Sequence, residues 1–368
     1  MPSDLIELNK EFLHDYLNTN SPVGQEVEAQ KVWIDYIKHY VDVIETDAYG
    51  NAIAKIMSKS QTAAGIPTEK RKKLVIDSHC DEISFKVVHI NDGLIRVVKN
   101  GGVDAMIAPG TRVNILTNKG IVRGVFGQIA IHLRHGSTDK APKLEDLYID
   151  LGVDTNEAVK ELGVRVGDNC VSESKFEELG NYFVGKSLDD KISGFATAEL
   201  ARYIKETNIT LDYDLYIANT IAEEVGLYGS YMVALNQKPD AAISIDVTHS
   251  TNSPGISSNK EGDFKAGLGP TIDRSAQNHR VLSDLFIEVC EKAEIPHQLS
   301  DGSFGNNSVS YYRVGCPTQS ISIPLKYMHT QVEMVTSKDV ETLIQMFLEV
   351  LPKIKIEDLR YHKQFITN

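Results

Sequence analysis

One stretch constrains this chain more than any other: Thr220-Ile221-Ala222-Glu223-Glu224-Val225-Gly226-Leu227-Tyr228-Gly229. Just upstream, Leu211, Tyr213, Leu215 and Ile217 alternate onto one face, which predicts a β-strand over 211–219. Gly226 and Gly229 supply the turn into a helix. Two adjacent carboxylates are thereby expected at the C-terminal end of a strand, where open α/β sheets place their active sites. Glu-Glu pairs mostly belong to solvated surfaces, because carboxylates are rarely buried. The motif gains weight only if other strands end in the same way.

Four others do. An apolar strand from Lys73 to Ile76 runs into Asp77-Ser78-His79-Cys80-Asp81-Glu82. On extended backbone His79 and Asp81 share a face, so Asp81 is placed to orient His79 if that imidazole binds a metal. Tyr182-Phe183-Val184 leads through Gly185-Lys186-Ser187-Leu188 to Asp189-Asp190, at the start of a helix reaching to about Glu206. Acidic residues there also serve as ordinary helix caps. A strand over Ala241 to Ile245 ends in Asp246-Val247-Thr248-His249, and another over Thr318 to Ile323 is followed by Lys326-Tyr327-Met328-His329. Taken singly, each has a bland reading as a cap or a surface histidine. Five strand ends carrying His79, Asp189 or Asp190, Glu223 with Glu224, Asp246 and His329 are hard to reconcile with chance.

The rest of the chain reads as scaffold. Leu5, Leu8, Phe12 and Tyr16 have helical spacing over 3–18, with Ser3 or Asp4 as N-cap. Ser21-Pro22-Val23-Gly24 breaks the chain before a second amphipathic helix from Ala29 to Tyr40, which buries Trp33. Val41 to Asp47 and Asn51 to Met57 form a hairpin, and Ser58 to Lys73 is expected to be a polar, mobile connection. Between Val87 and Gly180 the texture changes to short β runs (Leu94 to Val98, Arg112 to Thr117, Ile121 to Gly127) with Asn118-Lys119-Gly120 as a hairpin turn, followed by Asp146 to Gly152 and an amphipathic stretch from Asn156 to Leu162. This segment is expected to be an inserted β-rich domain at 87–180, interrupting a larger domain at 1–86 and 181–368. His132 and His135 within it have no assigned role. Helical periodicity returns over Asn278 to Ala293 and Ser337 to Ile354, with Thr336 and Asp339 as a capping box.

Composition narrows the function. A net charge of −13, with no basic run to offset it, argues against nucleic-acid or anionic membrane partners. No apolar run approaches the roughly 20 residues needed to span a bilayer, and Met1 to Glu7 lacks the features of a signal peptide. The expected compartment is the cytoplasm. Cys80, Cys170, Cys290 and Cys316 lack CxxC spacing and are expected to be reduced.

With the five strand ends in view, the sequence resembles the di-metal metallo-aminopeptidases typified by glutamyl aminopeptidase and the tetrahedral, self-compartmentalising aminopeptidases, some of whose members carry endoglucanase names. The resemblance covers nearly the whole chain. It rests on His79-Cys80-Asp81-Glu82-Ile83, Asp189-Asp190-Lys191, Glu223-Glu224-Val225-Gly226-Leu227, Asp246-Val247-Thr248 and Tyr327-Met328-His329, with Gly101-Gly102 and Gly124-Val125-Phe126-Gly127 in the insert. It implies an α/β fold, with a mixed β-sheet flanked by helices in a zinc-peptidase-like catalytic domain and the β-rich insert used for assembly. The partners it implies are short peptides and further copies of the chain, in a homo-oligomer that could be a dodecamer built from dimers.

Position by position, the resemblance makes His79 and Asp246 ligands of one metal, Glu224 and His329 ligands of the other, and Asp189 the bridge. Glu223 becomes the general base, Asp81 the partner orienting His79, and Lys326 a substrate-binding residue. The peptide bond after the bridging aspartate is expected to be cis. Two His and three carboxylates suit two divalent ions, zinc or cobalt, which at about 3.5–4 Å apart can activate one water. The chain departs from the family pattern in several places. Ser84 and Ser193 stand where glycine is usual, Tyr228 and Lys326 where arginine is common, and Asp301 to Ser308 lacks the usual Thr-Asp-Ala. Two other functions compete: a glycoside hydrolase using a carboxylate pair, which needs no histidine, and a non-catalytic relative that keeps only the assembly role.

Overall fold

A computed structural model of the chain describes residues 6–134, 140–302 and 305–359. Its central element is an eight-stranded mixed sheet. In spatial order the strands are Val43–Thr46, Ala52–Ile56, Asp214–Thr220, Lys73–His79, Ala241–His249, Thr318–Leu325, Thr271–Asp273 and Gln298–Ser300. The four from Asp214–Thr220 to Thr318–Leu325 run parallel, so their C-terminal ends share one edge. Register brings the candidates level: Thr220 pairs with His79, and Ser244 with Asp77, which sets Asp246 beside His79.

Strand alternation explains the layering. Leu74, Ile76, Leu215 and Ile217 face a core shared with the helices Lys10–Asn18, Val27–Ile37, Leu188–Glu206, Arg280–Lys292 and Ser337–Val350. The intervening Val75, Tyr216 and Ala218 point to the other face, where Val233, Ala234 and Tyr311 from two shorter helices cover them. Both faces of the parallel strands are therefore apolar, and polar side chains gather at the strand ends.

Between Ser84 and Ser172 six strands close a barrel in the order Ser84–Asn91, Leu94–Asn100, Tyr148–Asp150, Gly120–Phe126, Arg112–Thr117, Asn169–Ser172. Its own core includes Phe85, Ile95, Ile115, Phe126 and Ile149. A three-stranded sheet of Glu177–Leu179, Tyr182–Gly185 and Glu333–Thr336 lies outside both. It sets Gly185 opposite Glu333, so the chain leading to Asp189 runs beside the chain leaving His329.

Several sequence expectations shift. The first helix begins at Lys10, capped by the Asn9 side chain accepting from the Phe12 amide, while Ser3 and Asp4 lie outside the described residues. The Ser58 to Lys73 connection contains a short helix, Lys59–Ala63, because the Ser58 hydroxyl caps it. The capping box at Thr336 is half formed. Thr336 accepts from the Asp339 amide, but the Asp339 carboxylate accepts instead from the amides of Gly267 and Gly269, tying a neighbouring loop to the helix start. His132 is exposed in a turn of the barrel segment, and His135 lies outside the described residues.

Candidate metal centre

Each strand end delivers its side chain by a distinct local device. His79 closes its strand and is 2% exposed. Its backbone N–H donates to the buried Asp190 carboxylate at 3.2 Å. After Thr220 the chain turns sharply, with the Tyr228 and Gly229 amides donating back to the carbonyls of Ala222 and Ile221. A Cβ on Gly229 would lie 2.2 Å from the Ile221 carbonyl oxygen, so this tight turn requires glycine. The Glu223 and Glu224 amides donate to the two oxygens of Asp81 at 3.0 and 3.1 Å. Asp81 thus holds the two glutamates by their backbone. It also lies beside His79, whose Nδ1 is 3.1 Å from the Asp81 carbonyl and 3.5 Å from its carboxylate.

The second imidazole is fixed from the barrel side. His329 Nδ1 lies 3.0 Å from the Gly102 carbonyl oxygen, and a Cβ on Gly102 would come within 2.7 Å of the ring. With Nδ1–H donating to a carbonyl in each case, both rings turn Nε2 and its lone pair inward, the arrangement expected of metal-ligating histidines. The two Nε2 atoms converge on Asp189. Asp189 Oδ1 is 3.3 Å from His79 Nε2 and Oδ2 is 3.2 Å from His329 Nε2, while Glu224 Oε1 is 3.4 Å from His329 Nε2. The peptide bond from Asp189 to Asp190 is cis.

A charge-assisted N–H···O contact settles at about 2.7–2.9 Å. Ligand atoms at the corners of a tetrahedron with bonds of about 2.0–2.1 Å lie about 3.3–3.4 Å apart, and the observed distances match that edge. The ligand atoms of His79, Asp189 and Glu224 all lie within 4.8 Å of one another, as do those of His79, Asp190 and Asp246. Asp190 thereby joins the candidate set, although only Asp189 of the pair lines the cavity over the centre.

The electrostatics ask for cations. Burial, reinforced by neighbouring carboxylates and only partly offset by His79, pushes Glu223 well above the usual carboxylate range. Burial likewise raises Asp246 to about 7. Burial also acts to raise Asp189, but the two imidazoles of His329 and His79 beside it outweigh burial and hold that carboxyl well below its ordinary value. His329 is pushed up to about 11 by Asp189 and Glu224. Anionic oxygens are thus concentrated beyond what two imidazoles neutralise, a donor set that divalent ions would fit by supplying positive charge in place of protons.

A cavity of about 220 Å³ opens over His79, Asp189, Glu223, Glu224, Asp246 and His329. A much larger cleft of about 1160 Å³, near Lys72, Asp240 and Thr318, lies at the opposite ends of the strands and contains none of the candidates. Lys326 lines neither the 220 Å³ cavity nor the smaller pocket on the barrel side of the centre; its ammonium sits 4.9 Å from the centroid of the Tyr182 ring. Two of the departures find partners. Ser84 accepts from Asn100 at 2.9 Å, and Asn307 donates to Asp77 and Thr220, both at 3.0 Å. Asp77 also accepts from the Tyr311 hydroxyl at 2.6 Å, forming a buried network beneath the strand end that carries His79.

Sequence reasoning assigned no part to Asp77, Gly102 or Glu333. Gly101-Gly102 was visible as a motif, but its carbonyl contact depends on the barrel folding back onto the sheet. For Glu333 the one signal was its position four residues after His329.

Comparison with known proteins places the chain and its fold. Over 335 residues the chain is 30% identical to a lysyl aminopeptidase of Pyrococcus furiosus, covering 88% of this chain and 91% of that one. The fold matches the TET aminopeptidase of Thaumarchaeota archaeon SCGC AB-539-E09 with a TM-score of 0.88 and 28% identity over 95% of this chain and 98% of that one. It matches the Pyrococcus horikoshii TET1 peptidase, which can assemble into a tetrahedron or a large octahedral shell, with a TM-score of 0.81 and 29% identity over 94% and 99% of the two chains. The profile of the M42 glutamyl aminopeptidases matches residues 61–346, and the chain belongs to that family.

Proposed function

We propose that this chain is a cytoplasmic aminopeptidase that removes N-terminal residues from short peptides at a centre of two divalent metal ions, zinc or cobalt. His79 and Asp246 would hold one ion and Glu224 and His329 the other, with Asp189 shared between them. The observation that carries this reading is Asp189, whose two oxygens face the Nε2 atoms of two different imidazoles. Ions held there would activate a shared water and polarise the scissile carbonyl.

The remaining work belongs to side chains. Glu223 lies on the cavity wall, 3.9 Å from His79 Nε2, farther than the oxygens of Asp189. It takes a proton from the attacking water and returns it to the leaving amine. Asp81 keeps both glutamates and His79 in place. The four described cysteines are free, which suits a reducing compartment. Among the described residues no helix is long and apolar enough to cross a membrane. Chelation is expected to abolish hydrolysis of aminoacyl-anilides, and added zinc or cobalt to restore it; activity that survives complete metal removal would sink the reading.

We also propose that the 87–180 segment serves assembly into a homo-oligomer. Ile131 and Leu133 are 68% and 69% exposed there, and Met106 and Val166 project similarly. Contiguous exposed apolar patches mark interaction surfaces, and Ile131 and Leu133, two positions apart, would form part of one. Light scattering is expected to give a multiple of the chain mass, and Ile131→Asp with Leu133→Asp a smaller particle. An unchanged mass in that double variant would remove this surface from the assembly.

A further inference from the structure

We infer that Glu333 is a positioning residue of the metal centre, holding the bridging aspartate and the second histidine at a fixed separation. The inference rests on the two-ion reading above. Glu333 is 2% exposed, and among the described residues no lysine or arginine forms an ion pair with it. Its two oxygens are used separately. Oε2 accepts from the Asp189 amide at 3.1 Å and Oε1 accepts from the His329 amide at 2.7 Å. One carboxylate therefore spans two segments that are 140 positions apart in the sequence and that present the ligands facing each other across 3.2 Å.

The backbone explains why a clamp is needed. His329 sits at φ +60° and Tyr327 at φ +59°, left-handed conformations that side chains other than glycine rarely adopt. Such residues persist where surrounding contacts over-determine them. The loop carrying them is closed at its base by the paired backbone bonds of Lys326 and Met334, and Glu333 stands at that base, opposite Gly185. From there its side chain reaches inside its own loop to His329 and across to Asp189. Asp81 uses the same device on Glu223 and Glu224, so two carboxylates together fix the backbone of four candidate residues.

A carboxylate suits this role because both of its oxygens accept. An amide presents one acceptor and one donor, and the donor would face a backbone N–H. Glu333→Gln is therefore expected to keep its fold but to loosen the ligands. Partners of metal ligands typically contribute 10–100-fold in affinity when removed.

The test is titration of metal-free protein with cobalt(II), followed by visible absorption and calorimetry, on the parent, Glu333→Gln and Glu333→Asp, with the melting temperature of each metal-free form. The parent is expected to take up two equivalents. In Glu333→Gln the equivalent held by His329 and Glu224 should weaken by about 10–100-fold, and the other by less, with the metal-free melting temperature close to the parental one. Glu333→Asp, which keeps two acceptors on a shorter stem, should fall between. Parental affinity for both equivalents in Glu333→Gln overturns the role, as does loss of the folded metal-free state in both variants, which would make Glu333 general scaffold. A parent that takes up no cobalt overturns the two-ion centre itself, and is seen before any variant is made.

Discussion

Alanine at position 189 is expected to leave the protein with neither metal ion and with no measurable turnover. Asp189 faces both imidazoles, one oxygen to each, at 3.3 and 3.2 Å. Removing it takes a ligand from each coordination sphere and leaves His79 and His329 with no shared anion between them. Asp190 is the natural control. It is fully buried, with one oxygen accepting from the His79 amide at 3.2 Å and the other without a hydrogen-bond partner among the described residues. Its ligand atoms also cluster with those of His79 and Asp246, so the comparison is a real contest. Asp190→Ala is expected to retain two ions, bound more weakly on the His79 side, because the strand end that presents His79 loses its anchor. Metal content after reconstitution and dialysis decides between them. An empty Asp190→Ala beside an Asp189→Ala that holds two ions would move the bridge to Asp190.

What was legible in the sequence follows from what is local. The strands ending at His79, Thr220, His249 and Leu325 announce themselves through apolar runs, and parallel strands buried on both faces leave their C-terminal ends as the natural place for polar groups. Four of the five candidate positions follow these strand ends, whereas Asp189 and Asp190 follow Tyr182–Gly185 of the separate three-stranded sheet. What could not be read depends on segments far apart in the chain. Asp189 and Asp190 also had an ordinary reading as helix caps, yet neither has helical φ/ψ and both are buried where the chain kinks. Asp81 was expected to meet the imidazole ring, and its carboxylate lies closer to the amides of Glu223 and Glu224. Glu333 opens a short strand whose partner, Tyr182–Gly185, lies some 150 residues earlier, and no periodicity within either segment relates the two. Asn307 stands in the stretch that departs from the family pattern, and only the fold reveals Asp77 beneath it.

Glu223→Gln is expected to keep both metal ions and to lower turnover by about 10²–10⁴-fold, the range associated with a lost acid/base group. That corresponds to roughly 2.7–5.4 kcal/mol of transition-state stabilisation. Metal retention follows from position. Glu223 is 3.9 Å from His79 Nε2, and its residue is held through the backbone amide by Asp81, a contact the substitution leaves intact. Gln has the same shape, so the cavity wall is preserved. It cannot take up the proton of the attacking water, nor pass one to the leaving amine, and both transfers fall to solvent. The loss should therefore appear in kcat, with KM close to that of the parent. Glu224→Gln is the informative contrast, because Glu224 Oε1 lies 3.4 Å from His329 Nε2 and its loss should reduce metal content as well as rate. Steady-state kinetics on an aminoacyl-anilide, run alongside metal analysis of the same samples, separates the two roles. A Glu223→Gln protein that turns over at the parental rate with both ions in place would show that the proton travels by another route.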